Sequence, residues 1–98
     1  MTDGGLRTTD VDFQAGGAPI LHGAVGVDSH GTATYGINFG RGTANSAGKG
    51  MLPEAQGIIA AYTQLTNRYT HTAELLQDPY KAVYQSNSWG STLTTQYT

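Results

Sequence analysis

The chain has no cysteine among its 98 residues, which excludes a disulfide framework, a thiolate nucleophile and a cysteine-ligated zinc site, and leaves the redox compartment open. Positive charge is scarce: five Lys and Arg against seven Asp and Glu, and no basic cluster anywhere, so the electrostatic footprint of nucleic-acid binding is missing. No apolar run approaches the length that crosses a bilayer, and Met1-Thr2-Asp3-Gly4-Gly5 has neither the basic nor the apolar region of a secretory signal. Nucleic acid and membrane are therefore set aside as partners. Charged residues make up 12% and hydrophobic residues 38%, both low for a globular domain, and no repeat or low-complexity tract stands out.

What the chain does have is glycine, 14 of them, which favours tight turns and close backbone approaches over a helical bundle. One domain at most is expected at this length.

Along the chain, Asp3-Gly4-Gly5-Leu6 reads as a sharp turn with an acid at the bend, and Thr8 to Phe13 as an irregular polar segment with two apolar anchors. Residues 15–18 form a Gly-rich loop, and the apolar residues between Ile20 and Val27 suggest a short strand leading through Asp28-Ser29 to His30. Ser29 is the expected N-cap of a helix from His30 towards Phe39, although Thr34, Tyr35 and Gly36 disfavour helix and only packing would justify it. Gly40 to Gly50 is a loop that misses the phosphate-binding pattern, because Gly50 stands where the magnesium-binding hydroxyl belongs and the preceding glycine is one residue too far away.

Gln56 to Tyr62 is a short apolar run of the kind that makes a buried parallel strand. A helix over Thr70 to Gln77 follows, capped by Thr70 or Thr72 and limited by Pro79, then a further strand over Ala82 to Asn87. The tail from Ser91 to Thr98 reads as an exposed segment. Strand, helix and strand in alternation imply an α/β fold with a parallel sheet and right-handed crossovers, whose functional residues gather at the carboxyl ends of the strands. Asp3, His30 and Ser88-Trp89-Gly90 all fall at or just beyond such ends.

His30 is the best single candidate for chemistry, since an imidazole takes and returns a proton near neutral pH. Taken alone, a histidine in a Gly-rich stretch is an ordinary loop residue. Four blocks in order change that reading. Asp3-Gly4-Gly5-Leu6, Ser29-His30-Gly31-Thr32, Gly50-Met51-Leu52-Pro53-Glu54-Ala55 and Asn87-Ser88-Trp89-Gly90 together resemble the conserved blocks of the subtilisin-like serine proteases, or subtilases. Spacings of 27 residues from Asp3 to His30, 23 from His30 to Pro53 and 35 from Pro53 to Ser88 fit the family, with Leu52 in place of its usual alanine.

The resemblance implies a three-layer, mostly parallel sheet of the subtilisin type, and a serine endopeptidase that hydrolyses polypeptide substrates with an Asp-His-Ser triad. Asp3 would be the triad aspartate and His30 the general base, with Ser88-Trp89-Gly90 forming the substrate-binding wall. Ser88 belongs to that wall and is not the nucleophile. The family's nucleophile lies in a later Gly-Thr-Ser block, with its oxyanion asparagine between that block and Gly90. No Gly-Thr-Ser occurs here, so residues 1–98 are expected to be part of a catalytic domain, incomplete at both ends, with exposed sheet edges, inactive alone and dependent on the remainder of that domain.

No cofactor is required for such chemistry, but the resemblance also implies a structural calcium held by Asp12 and by the loop of Asn45. The resemblance also implies a secreted or extracytoplasmic setting. Two other classes compete: an inert subtilase-like binding or structural module, and a metal hydrolase using His22, Asp28, His30 and His71. The histidine spacing matches no recognised ligand pattern, which favours structural or exposed histidines.

Overall fold

A computed structural model describes residues 1–14 and 18–90. Residues 15–17 of the expected Gly-rich loop and the expected tail at 91–98 lie outside the described residues.

Three short strands form a parallel sheet: β1 (Thr2–Asp3), β2 (Ile20–Leu21) and β3 (Ile58–Ala61). β3 lies in the middle, with Thr2 opposite Ala60 and Asp3 opposite Ala61 on one side, and Ile20 opposite Ile58 and Leu21 opposite Ile59 on the other. Two helices, α1 (Ser29–Phe39) and α2 (Arg68–Leu75), complete an α/β arrangement.

The expected strand at Ile20 to Val27 ends after Leu21. The His22 amide still donates to the Ile59 carbonyl at 2.9 Å, but Gly23 takes a φ of 76°, a left-handed conformation that breaks the extended run. The expected strand at Ala82 to Asn87 shrinks to one parallel bridge, Asn87 to Thr2. Val83 is 94% exposed, so the strand-forming residues here are not supported by burial.

Both helices begin slightly earlier than expected, for the same reason. An extended residue with a short side-chain acceptor stands before each: Asp28 takes the His30 amide at 3.0 Å, and Asn67 takes those of Tyr69 and Thr70 at 2.9 and 3.1 Å. Asp28 thus displaces Ser29 as cap, and Asn67 displaces Thr70 or Thr72. At the other end of α1, Gly40 donates to the Gly36 carbonyl, while Met51 and Leu52, from the Gly50–Ala55 turn, donate to those of Ile37 and Asn38. Carbonyls that a helix end leaves without partners are satisfied by that turn.

The poor helix propensity of α1 is overcome by packing. Tyr35 is 2% exposed and sits edge-on to Phe13 with centroids 4.9 Å apart, in a cluster with Met1, Leu6 and Ile59. Of the two apolar anchors expected in residues 8–13, Phe13 is buried and Val11 is exposed.

Neighbouring residues of a strand face opposite ways. Asp3 meets His30 and Thr34 of α1, and Thr2 meets His71 of α2, so the helices approach opposite faces of the sheet. From β2 through α1 to β3 the chain moves one place across the sheet. From β3 through α2 to Asn87 it moves two places in the same direction, because Asn87 pairs with β1 on the side away from β3. Two crossovers that run the same way over opposite faces have opposite hands. The expectation of right-handed crossovers throughout therefore fails for one of them.

Candidate active site

Asp3 ends β1 with its side chain in the interior, 1% exposed, and a buried carboxylate requires hydrogen-bond donors. It has three. His30 Nδ1 donates to Oδ1 at 2.8 Å, the Gly4 amide donates to the same oxygen at 2.7 Å, and the Thr34 hydroxyl lies 3.0 Å from Oδ2. His30 and Thr34 are four residues apart on α1 and therefore lie on one face of the helix. An ionised carboxylate only accepts, so the proton must be on Nδ1, and in the neutral ring Nε2 carries the lone pair. The His30 side chain is 60% exposed, and among the described residues nothing hydrogen-bonds to Nε2.

The electrostatics follow from this geometry. Burial by itself would raise the Asp3 pKa, but the hydrogen bond from His30, then those from Gly4 and Thr34, together outweigh it and hold the carboxyl below its usual range. The hydrogen bond to Asp3 and its charge raise the His30 pKa above the ordinary value, opposed by slight burial and aided by Asp28 at the helix cap. The arrangement is an oriented base: one ring nitrogen is anchored, and the other is open to solvent.

A backbone contact positions this base. The Gly31 Cα lies so close to the chain at Gly5 that an added Cβ would meet the Gly5 carbonyl oxygen at 1.8 Å. Only glycine allows α1 to sit this close to the turn after β1, and that approach brings His30 and Thr34 to Asp3.

Asn87 pairs with Thr2, so Ser88-Trp89-Gly90 leaves the sheet on the other side of β1, beyond the carboxyl ends of the strands. The Trp89 ring stacks on Tyr62, centroids 5.4 Å apart and planes inclined by 19°. Tyr62 immediately follows β3, in register just past Asp3. Gln85 ties the segment down: its amide nitrogen donates to Thr2 Oγ1 at 3.2 Å and to Asn87 Oδ1 at 3.1 Å, while Thr72 of α2 donates to its oxygen at 3.1 Å. Sequence reasoning missed Thr34, Tyr62 and Gln85. Tyr62 alone had a signal, its place at the end of a buried strand.

The expected calcium ligands Asp12 and Asn45 both have hydrogen-bond partners within the chain. Both Asp12 oxygens face donors: the Arg41 amide reaches Oδ2 at 2.9 Å and the Thr43 amide reaches Oδ1 at 2.7 Å. These amide bonds, the Thr43 one foremost, outweigh slight burial and hold the Asp12 pKa below its usual range. Asn45 Oδ1 accepts the Ala47 amide at 2.9 Å and caps a short 3₁₀ turn. Asp12→Ala should cost about 1–2 kcal/mol in urea denaturation, as exposed charge-assisted hydrogen bonds are lost. Unchanged urea stability in Asp12→Ala would show that these amide bonds contribute nothing.

The metal-hydrolase set separates. His22 and His71 lie on the Thr2 side, rings edge-on with centroids 4.8 Å apart, where His22 Nε2 pairs with Glu74 at 2.8 Å and His71 Nε2 lies 3.2 Å from Thr2 Oγ1. His30 is on the opposite face, and Asp28 is occupied as a helix cap. Burial, then the neighbouring His22, lowers the His71 pKa, which keeps this interior ring neutral. Among the described residues no three His, Cys, Asp or Glu side chains are grouped to hold a metal ion, and no helix is long and apolar enough to cross a membrane. No family model matches the chain, and no curated protein or solved structure matches it either.

Proposed function

We propose that Asp3 and His30 are the aspartate and histidine of a serine-protease triad, in a chain that forms part of a subtilisin-like endopeptidase domain with that family's three-layer fold. The observation that carries this reading is the 2.8 Å bond from His30 Nδ1 to a buried carboxylate, with the Nε2 edge of the ring exposed. In peptide hydrolysis, Nε2 takes the proton of a serine hydroxyl as its oxygen attacks the scissile carbonyl. The same nitrogen then returns the proton to the leaving amine. Asp3 holds the ring in the tautomer that leaves Nε2 free, and stabilises the imidazolium formed between the two steps.

Further support comes from the placement of Ser88-Trp89-Gly90 beyond the strand ends that carry Asp3 and Tyr62. Extended polypeptide running beside this segment would pair with its backbone, while the Trp89 and Tyr62 rings offer an apolar surface to a substrate side chain. The nucleophile is assigned to chain outside these 98 residues, because no Gly-Thr-Ser block occurs within them.

Folded, purified chain is therefore expected to resist a serine-directed fluorophosphonate. Labelling at one unique serine of the 98-residue chain would overturn that assignment. Should a coding sequence follow Thr98 without a Gly-Thr-Ser block, the inert-module reading would replace the protease.

A further inference from the structure

Thr34 stands where its one hydroxyl proton can go to either of two acceptors: Asp3 Oδ2 at 3.0 Å or the Gly31 carbonyl at 3.2 Å. The second is the ordinary bond of a helical threonine to its preceding turn. The first is to a charged group with almost no access to water, and charge-assisted hydrogen bonds are roughly twice as strong as neutral ones. While Asp3 is ionised the proton belongs on Oδ2.

From this geometry we infer that Thr34 is a positioning residue that sets the proton affinity of the Asp3–His30 pair. Its hydroxyl shares the negative charge of Oδ2, and so restrains how strongly Oδ1 draws the proton of His30 Nδ1. The Gly4 amide and the burial of the side chain keep Oδ1 facing the ring whether or not Thr34 contributes. Removing the hydroxyl therefore leaves the pair formed but makes the carboxylate a stronger acceptor. The charged groups that act on His30 are Asp3, across the pair, and Asp28, at the start of its own helix. Neither depends on Thr34 for its place in sequence or for its strand or cap.

The significance for catalysis rests on the protease reading: a base restrained in this way releases its proton to the leaving amine more readily. The test does not need that reading, since it follows the ring itself. Nitrogen-15 NMR titration of His30 in the 98-residue chain, with amide spectra confirming that each variant is folded, compares wild type with Thr34→Val and Thr34→Ser. Thr34→Val is expected to raise the His30 pKa by about 0.3–0.5 unit relative to wild type, because the carboxylate loses a stabilising donor. Thr34→Ser, which keeps the hydroxyl, should titrate like wild type. Thr34→Ala gives the same readout if valine does not fit the slot. An unchanged or lowered His30 pKa in the folded Val and Ala variants, or a serine variant that behaves like valine, would overturn the inference. Loss of protease function for lack of a nucleophile would leave these titrations unaffected.

Discussion

Gly31→Ala should cost about 3 kcal/mol or more and separate His30 from Asp3 even where the chain still folds. The new methyl would lie 1.8 Å from the Gly5 carbonyl oxygen and 2.9 Å from its carbon, inside any permitted contact, and the obstacle is backbone. A flexible side chain could swing aside, but here either α1 or the turn after β1 must shift. Overpacking that forces backbone movement typically costs about 1–3 kcal/mol, and a contact this short lies at the upper end or beyond. Against the roughly 5–10 kcal/mol total stability of a small domain, much of the folded population is at risk. Urea denaturation reads the loss, and the His30 titration reads the site: with α1 displaced, the His30 pKa should fall back towards its ordinary value. Unchanged stability would mean that α1 does not sit on Gly5.

Asp3→Asn should produce the largest functional effect. An asparagine that keeps its oxygen at the Oδ1 position still accepts from Gly4 and His30 Nδ1, while its NH₂ group faces the Thr34 hydroxyl, whose proton can turn to the Gly31 carbonyl. The neutral amide no longer stabilises the imidazolium that forms when the ring takes a serine proton. In a chain that carries the nucleophile, the rate of serine acylation is expected to fall about 10³–10⁴-fold, the scale on which triads respond to loss of the carboxylate. In the 98-residue chain the His30 pKa should drop, since the hydrogen bond and the charge that raise it are both altered or gone.

The same pair shapes the pH dependence of stability. His30 titrates higher in the folded chain than its reference of 6.5, so its contribution is complete below 6.5 and is lost as pH rises through the folded value. Asp3 titrates below its reference of 3.8, so its contribution is complete above 3.8 and is lost as pH falls through its lower folded value. The pair thus supports the fold best between these two references, and Asp3→Asn should flatten that part of the stability profile.

Local chemistry that recurs wherever the same residues meet was legible in the sequence. The resemblance carried by the blocks around Asp3 and His30 implied a pair that the structure shows bonded at 2.8 Å, and Gln56 to Tyr62 was readable as a buried strand because its apolar run is bounded by turns. Helix α1 was readable despite its composition, while its cap was misplaced by one residue because Asp28 and Ser29 are both good caps and only backbone conformation chooses between them. Four features were not legible. Strand β2 stops at Gly23 because of a single left-handed φ, which composition does not signal. The segment at Ala82 to Asn87 has strand-forming residues, yet it is held by the Gln85 amide and one bridge. The hand of a crossover depends on which face each helix covers, a property of the assembled sheet. The amide partners of Asp12 depend on the path of residues 41–43, which composition does not set.

The central claim is that His30, oriented by Asp3, is the base for a serine supplied by chain beyond these residues. Its most direct test is to express whatever coding sequence follows Thr98 together with this chain, and to measure fluorophosphonate labelling with and without His30→Ala. The account predicts a single label on the serine of a Gly-Thr-Ser block, abolished by His30→Ala. Labelling of that serine at an undiminished rate in His30→Ala would contradict it.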